Sequence, residues 1–271
     1  MLSSQQKANF HRDGMLILDF RLKARLLDRV IADVEPYYHR PQTGSHYAHG
    51  TRIQDAWRFN AGVRRIALER RVLRALRDLF GRKAKAFQTL NFPVGTQQRV
   101  HSDTIHFNSQ PSGYMAGAWV ALEDVDESNG ALVYYPGSHR LPEVTMQDVD
   151  VSPSYDHYNE YENYIQAMIE KNSLCAVRGI LKKGQVLLWH ANLLHGGGSH
   201  PDKSLSRHSL VTHYYFEGCR YYTPLCSSES EIRWREPEWI QRFAPYQLSR
   251  VRSPKLSLRR LAGKTIRFFR R

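Results

Sequence analysis

The sequence contains three copies of the pattern His-x-Asp: His11/Asp13, His101/Asp103 and His200/Asp202. Histidine and aspartate are both residue types that can serve as metal ligands. With 13 histidines and 26 acidic residues in 271, about one such pair is expected by chance, so the spacing alone identifies no site. Solvated turns beside Gly14 and Pro201 explain the first and third copies. The middle copy follows a strand-like run, and residues two apart on a strand share one face.

A further ligand is expected from the stretch GQVLLWHANLLHGGG, a buried strand that opens into a glycine-rich loop. His195 precedes three glycines, which allow other groups to approach closely. Two imidazoles and one carboxylate form the facial triad of non-haem Fe(II) oxygenases, which leaves coordination positions open for a cosubstrate and oxygen. His101, Asp103 and His195 are therefore candidate iron ligands. The alternative is three hydrogen-bonded polar residues of a β core.

A candidate anion-binding group lies where the next apolar run begins, at Arg207-His-Ser209. A guanidinium fork can hold a carboxylate with two parallel hydrogen bonds. Ser209, two residues along the same predicted strand face, is expected to add a hydrogen-bond donor.

The elements that must position these groups are mostly short strands. Helices are predicted near residues 4–11, 22–34 and 64–80, with a strand at 15–20. From Lys83 onward, short apolar runs bounded by turn residues indicate an antiparallel sandwich or barrel; they cover 84–92, 114–122, 131–135, 174–181, 185–190 and 207–216. An acidic, tyrosine-rich insertion at 141–172 is expected to act as a lid. We expect one domain over 1–249, with an N-terminal helical layer, and a basic tail over 250–271.

The net charge of +13 is confined to two segments. Residues 250–271 carry nine basic residues and no acid, and residues 64–85 carry nine against two acids. Neither segment has the interleaved aromatic residues of a single-strand binder, so a nucleic-acid partner is not favoured. The tail has the pattern of a helix that lies on an anionic membrane surface, and a basic tail without a membrane contact is the alternative.

Composition limits the class of protein further. At 41% hydrophobic residues with three cysteines, the chain is typical of a globular protein in a reducing compartment. No run approaches the roughly 18 apolar residues of a transmembrane helix, and the N-terminus lacks a secretory signal. We expect a cytoplasmic protein, with a peripheral contact at the inner face of a membrane if the tail binds lipid.

Four motifs together resemble the phytanoyl-CoA dioxygenase family of Fe(II)/2-oxoglutarate oxygenases: FQTLNFPVGTQQRVHSD, AGAWVALEDVDESNGALVYYPGSHR, GQVLLWHANLLHGG and RHSL. The resemblance implies a mainly β fold, a double-stranded β-helix (jelly-roll, cupin-like) core with flanking helices. It implies His101, Asp103 and His195 as ligands of Fe²⁺ and Arg207 as the partner of the distal carboxylate of 2-oxoglutarate. It also implies a cosubstrate contact at Gln88.

The predicted function is that of a dioxygenase that hydroxylates a small-molecule, lipid-linked or glycan-linked metabolite and converts 2-oxoglutarate and O2 to succinate and CO2. The resemblance implies hydroxylation rather than halogenation. Related halogenases have Gly or Ala at the position of Asp103, which admits chloride, and here the carboxylate fills it. One alternative is an oxidative demethylase of nucleic acid, which would require the basic helix at 64–85 to flank the iron site. Another is a catalytically silent jelly roll that binds a ligand. The sequence specifies neither the substrate nor the oligomeric state.

Deletion of residues 250–271 is predicted to reduce binding to anionic vesicles, because the tail supplies nine positive charges and each contributes about 1 kcal/mol near such a surface. Vesicle co-sedimentation of the full chain and of residues 1–249 measures this, and oxoglutarate turnover without substrate should be unchanged. Equal binding by the two proteins would contradict the prediction.

Overall fold

The computed structural model describes residues 1–38 and 52–242, so the predicted basic tail lies outside the described residues. These two ranges contain five α-helices: α1 Ser4–Asp13, α2 Ala24–Val34, α3 Ala61–Ala67, α4 Arg70–Phe80 and α5 Tyr158–Lys171. The strands are β1 Met15–Asp19, β2 Ile53–Gln54, β3 Ala84–Phe92, β4 Asn108–Gln110, β5 Met115–Ala121, β6 Leu132–Tyr134, β7 Val177–Gly179, β8 Gln185–His190, β9 His195–Gly197, β10 Ser209–Phe216, β11 Arg220–Tyr222 and β12 Trp234–Arg235.

The first helix shows why the N-terminal prediction held. Ser3 caps α1 by accepting the backbone N–H of Gln6, and the Gln6 side chain accepts the backbone N–H of Ser3 in return. This capping box satisfies two N–H groups that have no partner inside the helix. Gly14 ends the helix with φ of 78°, a conformation that glycine adopts without steric cost.

The basic segment predicted as one helix is two, and that prediction was wrong in its boundaries. The first of them, α3, ends at Ala67, and the side chain of Glu69 then accepts the backbone N–H of Arg71 to cap the second, α4. A carboxylate at this position stabilises a new helix start. The second helix ends at Phe80, where the predicted helix ends, and the chain enters β3 at Ala84.

Antiparallel strands form a large sheet in the order β1-β8-β5-β10-β3-β2 and a small sheet in the order β7-β6-β9. A third sheet, β12-β11-β4, lies beside them. The fold is the predicted double-stranded β-helix with a helical layer. The six predicted apolar runs all contain strands, whereas the short strands β2, β4, β9, β11 and β12 were not predicted.

The two faces of the large sheet carry different layers. One face packs against α1 to α4 through an apolar cluster that includes Leu76, Leu188 and Tyr214. Side chains at alternate positions, such as Trp119 and Val211, point to the opposite face and pack towards the small sheet. The basic helices α3 and α4 therefore lie on the outer face of the large sheet, and the inner face is turned towards the small sheet.

The insertion at 141–172 is only partly helical. Its helix α5 buries Tyr161, Ile165 and Ile169 in a separate apolar cluster with Met146 and Leu194. Within residues 1–38 and 52–242, none of the helices has both the length and the apolar character needed to cross a bilayer.

Gly117 is predicted to be indispensable on the inner face of β5. A Cβ atom at this position would lie 2.1 Å from Cζ2 of Trp189, the residue paired with it across β8. Gly117→Ala should therefore lower the free energy of unfolding in urea by about 1–3 kcal/mol, the usual cost of overpacking.

Gly179→Ala is the matched control, because a Cβ there would meet neighbours no closer than 3.4 Å. It should change the free energy of unfolding by less than about 1 kcal/mol. Equal effects of the two substitutions would contradict the proposed clash.

Candidate metal centre

The two candidate histidine ligands lie on paired backbone segments. His101 N–H donates to the carbonyl of His195 and His195 N–H donates to the carbonyl of His101, both at 2.9 Å. Residues that exchange both hydrogen bonds across an antiparallel pair project their side chains from the same side. Their ring centroids lie 4.7 Å apart. The backbone ladder thus brings together two side chains that are distant in the sequence.

Asp103 reaches the same point from a turn, not from the continuous strand that the His-x-Asp spacing suggested. It begins a 3-10 turn, Asp103–Ile105, and its backbone N–H donates to the carbonyl of Ala191. The indole N–H of Trp189 donates to Asp103 Oδ2 at 2.8 Å. Asp103 Oδ1 lies 3.9 Å from Nε2 of His195. One carboxylate oxygen is thus held by the protein, and the other faces the histidines.

Backbone carbonyls define the protonation of both imidazoles. Nδ1 of His101 lies 2.9 Å from the carbonyl oxygen of Arg99, and Nδ1 of His195 lies 2.9 Å from that of Leu193. A carbonyl only accepts, so each Nδ1 carries the proton and each Nε2 presents a lone pair. Metal-binding histidines are typically oriented in this way.

The donor set fits a metal ion. Ligand atoms of His101, Asp103 and His195 lie within 4.8 Å of one another, and all three residues are buried. Two imidazole nitrogens and one carboxylate oxygen suit Fe(II). Burial is the main cause that lowers the pKa of His101 to about 4, so this imidazole is neutral and able to bind metal near pH 7. Burial alone would raise the pKa of Asp103, but the surrounding imidazoles and the Trp189 N–H outweigh it and keep the carboxylate ionised.

The glycines after His195 permit this close packing. A Cβ at Gly197 would lie 2.6 Å from the backbone nitrogen of Gln97, and one at Gly196 would lie 2.9 Å from the carbonyl oxygen of Gln98. The strand that carries His195 can therefore run directly against the chain that leads to His101.

Arg207 lies in the same cavity, just before β10 instead of on it. Its Nη1 donates to the hydroxyl of Ser209 at 2.5 Å and its Nη2 to the carbonyl of Val94 at 3.3 Å, while Nε is buried without a partner. Ser209 thus holds the guanidinium. Burial lowers the pKa of Arg207 to about 10, so it stays charged near pH 7.

Gln88 also lines the cavity, and it contacts a residue that the sequence analysis missed. Nδ1 of His213 lies 2.8 Å from Gln88 Oε1, and Nε2 of His213 lies 3.7 Å from Asp103 Oδ2. Gln88 and His213 are directly paired across β3 and β10, so their side chains project from the same face of the sheet, and the register shifts only beyond this pair, where Phe87 is left unpaired. An alternation count on β10 alone would have placed His213 on the inner face with Val211.

The cavity measures about 260 Å³. Besides the predicted residues, aromatic side chains and two further arginines form its walls; they include Phe107, Trp119, Tyr155, Trp189, Arg52 and Arg235. Of the tyrosines in the insertion at 141–172, Tyr155 lines the cavity, the Tyr158 hydroxyl lies 3.2 Å from Nε2 of His106, and Tyr164 is exposed. The insertion therefore contributes to the cavity wall through the segment just before α5.

A double-stranded β-helix that gathers two histidines and one carboxylate in a buried cavity has the fold and site of the non-haem Fe(II)/2-oxoglutarate oxygenase class. The sequence profile of the family described as phytanoyl-CoA dioxygenase (PhyH) matches residues 10–209, and the chain belongs to this family.

Individual relatives are more distant. The peroxisomal phytanoyl-CoA dioxygenase of Bos taurus is 28% identical over 139 residues, which cover 49% of this chain and 38% of the bovine protein. The chain thus matches less than half the length of that relative. Two solved structures share the fold. The carbocyclase SnoK from nogalamycin biosynthesis has a TM-score of 0.66 and 17% identity, with coverage of 81% of this chain and 86% of SnoK. The epimerase SnoN in complex with Fe3+ and alpha ketoglutarate has a TM-score of 0.64 and 20% identity, with coverage of 88% of this chain and 98% of SnoN.

Trp189→Phe is predicted to weaken metal binding about 10-fold or more, because it removes the N–H that holds Asp103 Oδ2, and such supporting contacts typically contribute this much. Anaerobic calorimetric titration with Fe(II) measures the affinity. Trp57→Phe is the matched control: its indole N–H donates to Asp55, away from the cavity. An equal loss in both variants, or none in Trp189→Phe, would contradict the assigned role.

Proposed function

We propose that the protein is an Fe(II)/2-oxoglutarate-dependent oxygenase that hydroxylates a small-molecule, lipid-linked or glycan-linked metabolite. The observation that carries the proposal is that one cavity holds both a fitting donor set for Fe(II) and the buried guanidinium of Arg207. Neither feature alone would distinguish an oxygenase from a structural metal site or an anion-binding protein.

His101, Asp103 and His195 would hold the iron, and Arg207 would bind the distal carboxylate of 2-oxoglutarate. When bound, iron and the cosubstrate supply oxidative chemistry in which 2-oxoglutarate and O2 become succinate and CO2. The contribution of Arg207 is orientation: its fork is fixed by Ser209 and Val94, so a carboxylate binds it in a defined direction. Gln88 is a second proposed cosubstrate contact, through its amide.

Aromatic rings around Arg207 strengthen this interaction. The guanidinium carbon lies 5.3 Å from the ring centroid of Trp119 and 5.9 Å from that of Phe92. Arg207 is buried, and an ion pair in a buried site is less screened than in bulk solvent. Arg207 can therefore hold a dianion firmly without touching the metal ligands.

Two finer parts of the proposal have indirect support. Hydroxylation is proposed from the carboxylate ligand Asp103, although SnoN and SnoK are described as an epimerase and a carbocyclase. A cytoplasmic location, with membrane contact through residues 250–271, rests on composition and charge. The nucleic-acid alternative required the basic helix at 64–85 to flank the iron site. The helices found there, α3 and α4, instead pack on the outer face of the large sheet, and the metal centre lies on its inner side.

His101→Ala is predicted to abolish iron-dependent formation of succinate from 2-oxoglutarate, because it removes one of three metal ligands. Calorimetry with Fe(II) and a succinate assay measure the two losses separately. The control is His200→Ala, which removes a buried histidine of another His-x-Asp copy that bonds the carbonyl of Leu205; it should retain both properties. A wild-type chain that takes up no metal and forms no succinate with any candidate metabolite would favour the silent jelly roll.

Arg207→Gln is predicted to weaken 2-oxoglutarate binding by about 30-fold or more, since loss of one partner of a buried charge pair costs about 2 kcal/mol or more. Arg178→Gln removes an equal charge from the exposed side of the small sheet and should bind 2-oxoglutarate as the wild type does. Unchanged affinity in Arg207→Gln would assign the distal carboxylate elsewhere.

Mass-spectrometric screening of metabolites for a gain of one oxygen, with His101→Ala as the blank, identifies the substrate.

A further inference from the structure

A second guanidinium, that of Arg235, lines the cavity and makes no ion pair with the residues that the structure describes. We infer that Arg235 binds an anionic group of the substrate, so that the substrate is a small organic anion with a carboxylate or phosphate. The inference rests on the proposed function and names the substrate class for that site.

Arg235 is held in place by the third sheet. It lies on β12, pairs with Tyr221 on β11, and donates from Nη1 to the hydroxyl of Thr223 at 3.1 Å. Its guanidinium carbon lies 4.8 Å from the ring centroid of Phe107. The side chain is therefore fixed by neutral partners, as Arg207 is fixed by Ser209 and Val94.

No carboxylate neutralises this cation. Across residues 1–38 and 52–242, no acidic oxygen lies within 4.0 Å of Arg235, although other arginines such as Arg58 and Arg99 form such pairs. Nε of Arg235 is buried and has no hydrogen-bond partner. A buried donor and a charge without partners are costly, so a ligand that supplies oxygen atoms there recovers a large free energy.

Arg235 and Arg207 serve different ends of the cavity. Arg207 lies beside Trp119 and Phe92. Arg235 lies beside Phe107, whose ring is 5.2 Å from that of His213. Positions 207 and 213 are about 20 Å apart along an extended chain. A cosubstrate held by Arg207 therefore leaves Arg235 available to a second ligand.

The charge of the cavity wall favours an anion as that ligand. Among the described residues that line the cavity, and leaving Arg52 aside, the charges of Arg207 and Arg235 stand against one carboxylate, that of Asp103, which leaves one excess positive charge. An Fe(II) ion and a 2-oxoglutarate dianion carry equal and opposite charges, so their binding does not change this excess. A neutral or cationic substrate would leave this positive charge uncompensated when it covers the cavity.

The size and walls of this end limit the substrate further. The whole cavity, which the metal and cosubstrate would share, measures about 260 Å³, so the space left for a substrate is below the range of about 300–1,000 Å³ for drug-sized ligands. Phe107 and Tyr155 line it near Arg235. A small anion with an apolar or aromatic body fits both properties.

The test uses the full chain loaded with Zn(II) and 2-oxoglutarate, so that Arg207 is occupied and no oxidation occurs. Benzoate, phenyl phosphate and neutral benzyl alcohol are titrated by calorimetry. At least one of the two anions should bind the wild type about 10-fold or more tightly than benzyl alcohol. Tighter binding of benzoate would indicate a carboxylate site, and tighter binding of phenyl phosphate a phosphate site. Arg235→Gln should lose this preference, Arg235→Lys should keep part of it, and 2-oxoglutarate affinity should be unchanged in both.

Arg233→Gln is the matched control, since Arg233 is exposed two residues earlier in the same segment; it should retain the anion preference. Arg235→Met, which preserves the aliphatic packing, replaces Arg235→Gln if thermal melting shows that the latter does not fold. Equal affinity of the wild type for anions and benzyl alcohol would overturn the inference. So would a loss of 2-oxoglutarate binding in Arg235→Gln, which would assign this arginine to the cosubstrate.

Failure of the proposed function has a different signature. A wild type that binds neither metal nor 2-oxoglutarate would refute the oxygenase. The anion titration can then be repeated on the chain without either ligand, in Arg207→Gln and in its combination with Arg235→Gln. An anion preference that disappears only in the double variant would still assign an anion site to Arg235.

Discussion

The reciprocal backbone hydrogen bonds between His101 and His195 are the constraint on which the rest of the site depends. They place two imidazoles side by side through the geometry of the ladder, before any side-chain interaction is made. Asp103 then needs only a short turn, which its N–H to Ala191 and the indole of Trp189 hold in place. A ligand set built in this way is as rigid as the sheets that carry it, and metal selectivity depends on such rigidity.

The same polar groups show how the protein tolerates a charged site in a core. Each ligand is tied by one side to the protein: Nδ1 of both histidines to a carbonyl and Asp103 Oδ2 to Trp189. Buried polar atoms normally have such partners. The atoms that remain, two Nε2 and one Oδ1, face a common centre. Their desolvation is compensated only when another group binds there, so ligand binding and the stability of the fold are linked.

Sequence reasoning reached those parts of the site that short motifs encode. His101, Asp103, His195 and Arg207 each lie in a run of characteristic residues, and the resemblance relates the runs to one another. His213 was missed because no short motif marks it, although its alternation with Val211 along β10 places it on the inner face, where it pairs with Gln88. Arg235 was missed because nothing in its charged, Trp-containing segment indicates that a third sheet carries it to the cavity. The break between α3 and α4 was missed because the apolar periodicity continues through it. The break is marked only by Glu69, whose side chain caps the start of α4.

Neutral histidines make the arginines the decisive charges of the cavity. Burial is the main cause that lowers the pKa of His106 to about 3 and that of His213 to about 4, so neither adds charge near pH 7. The positive potential therefore comes from guanidinium groups, whose charge does not change over the physiological range. Such a cavity attracts anions at every ordinary pH, and low-polarity walls concentrate that field. Discrimination among anions must then come from position: Arg207 beside Trp119 and Arg235 beside Phe107 select ligands by where the negative group lies relative to the metal centre.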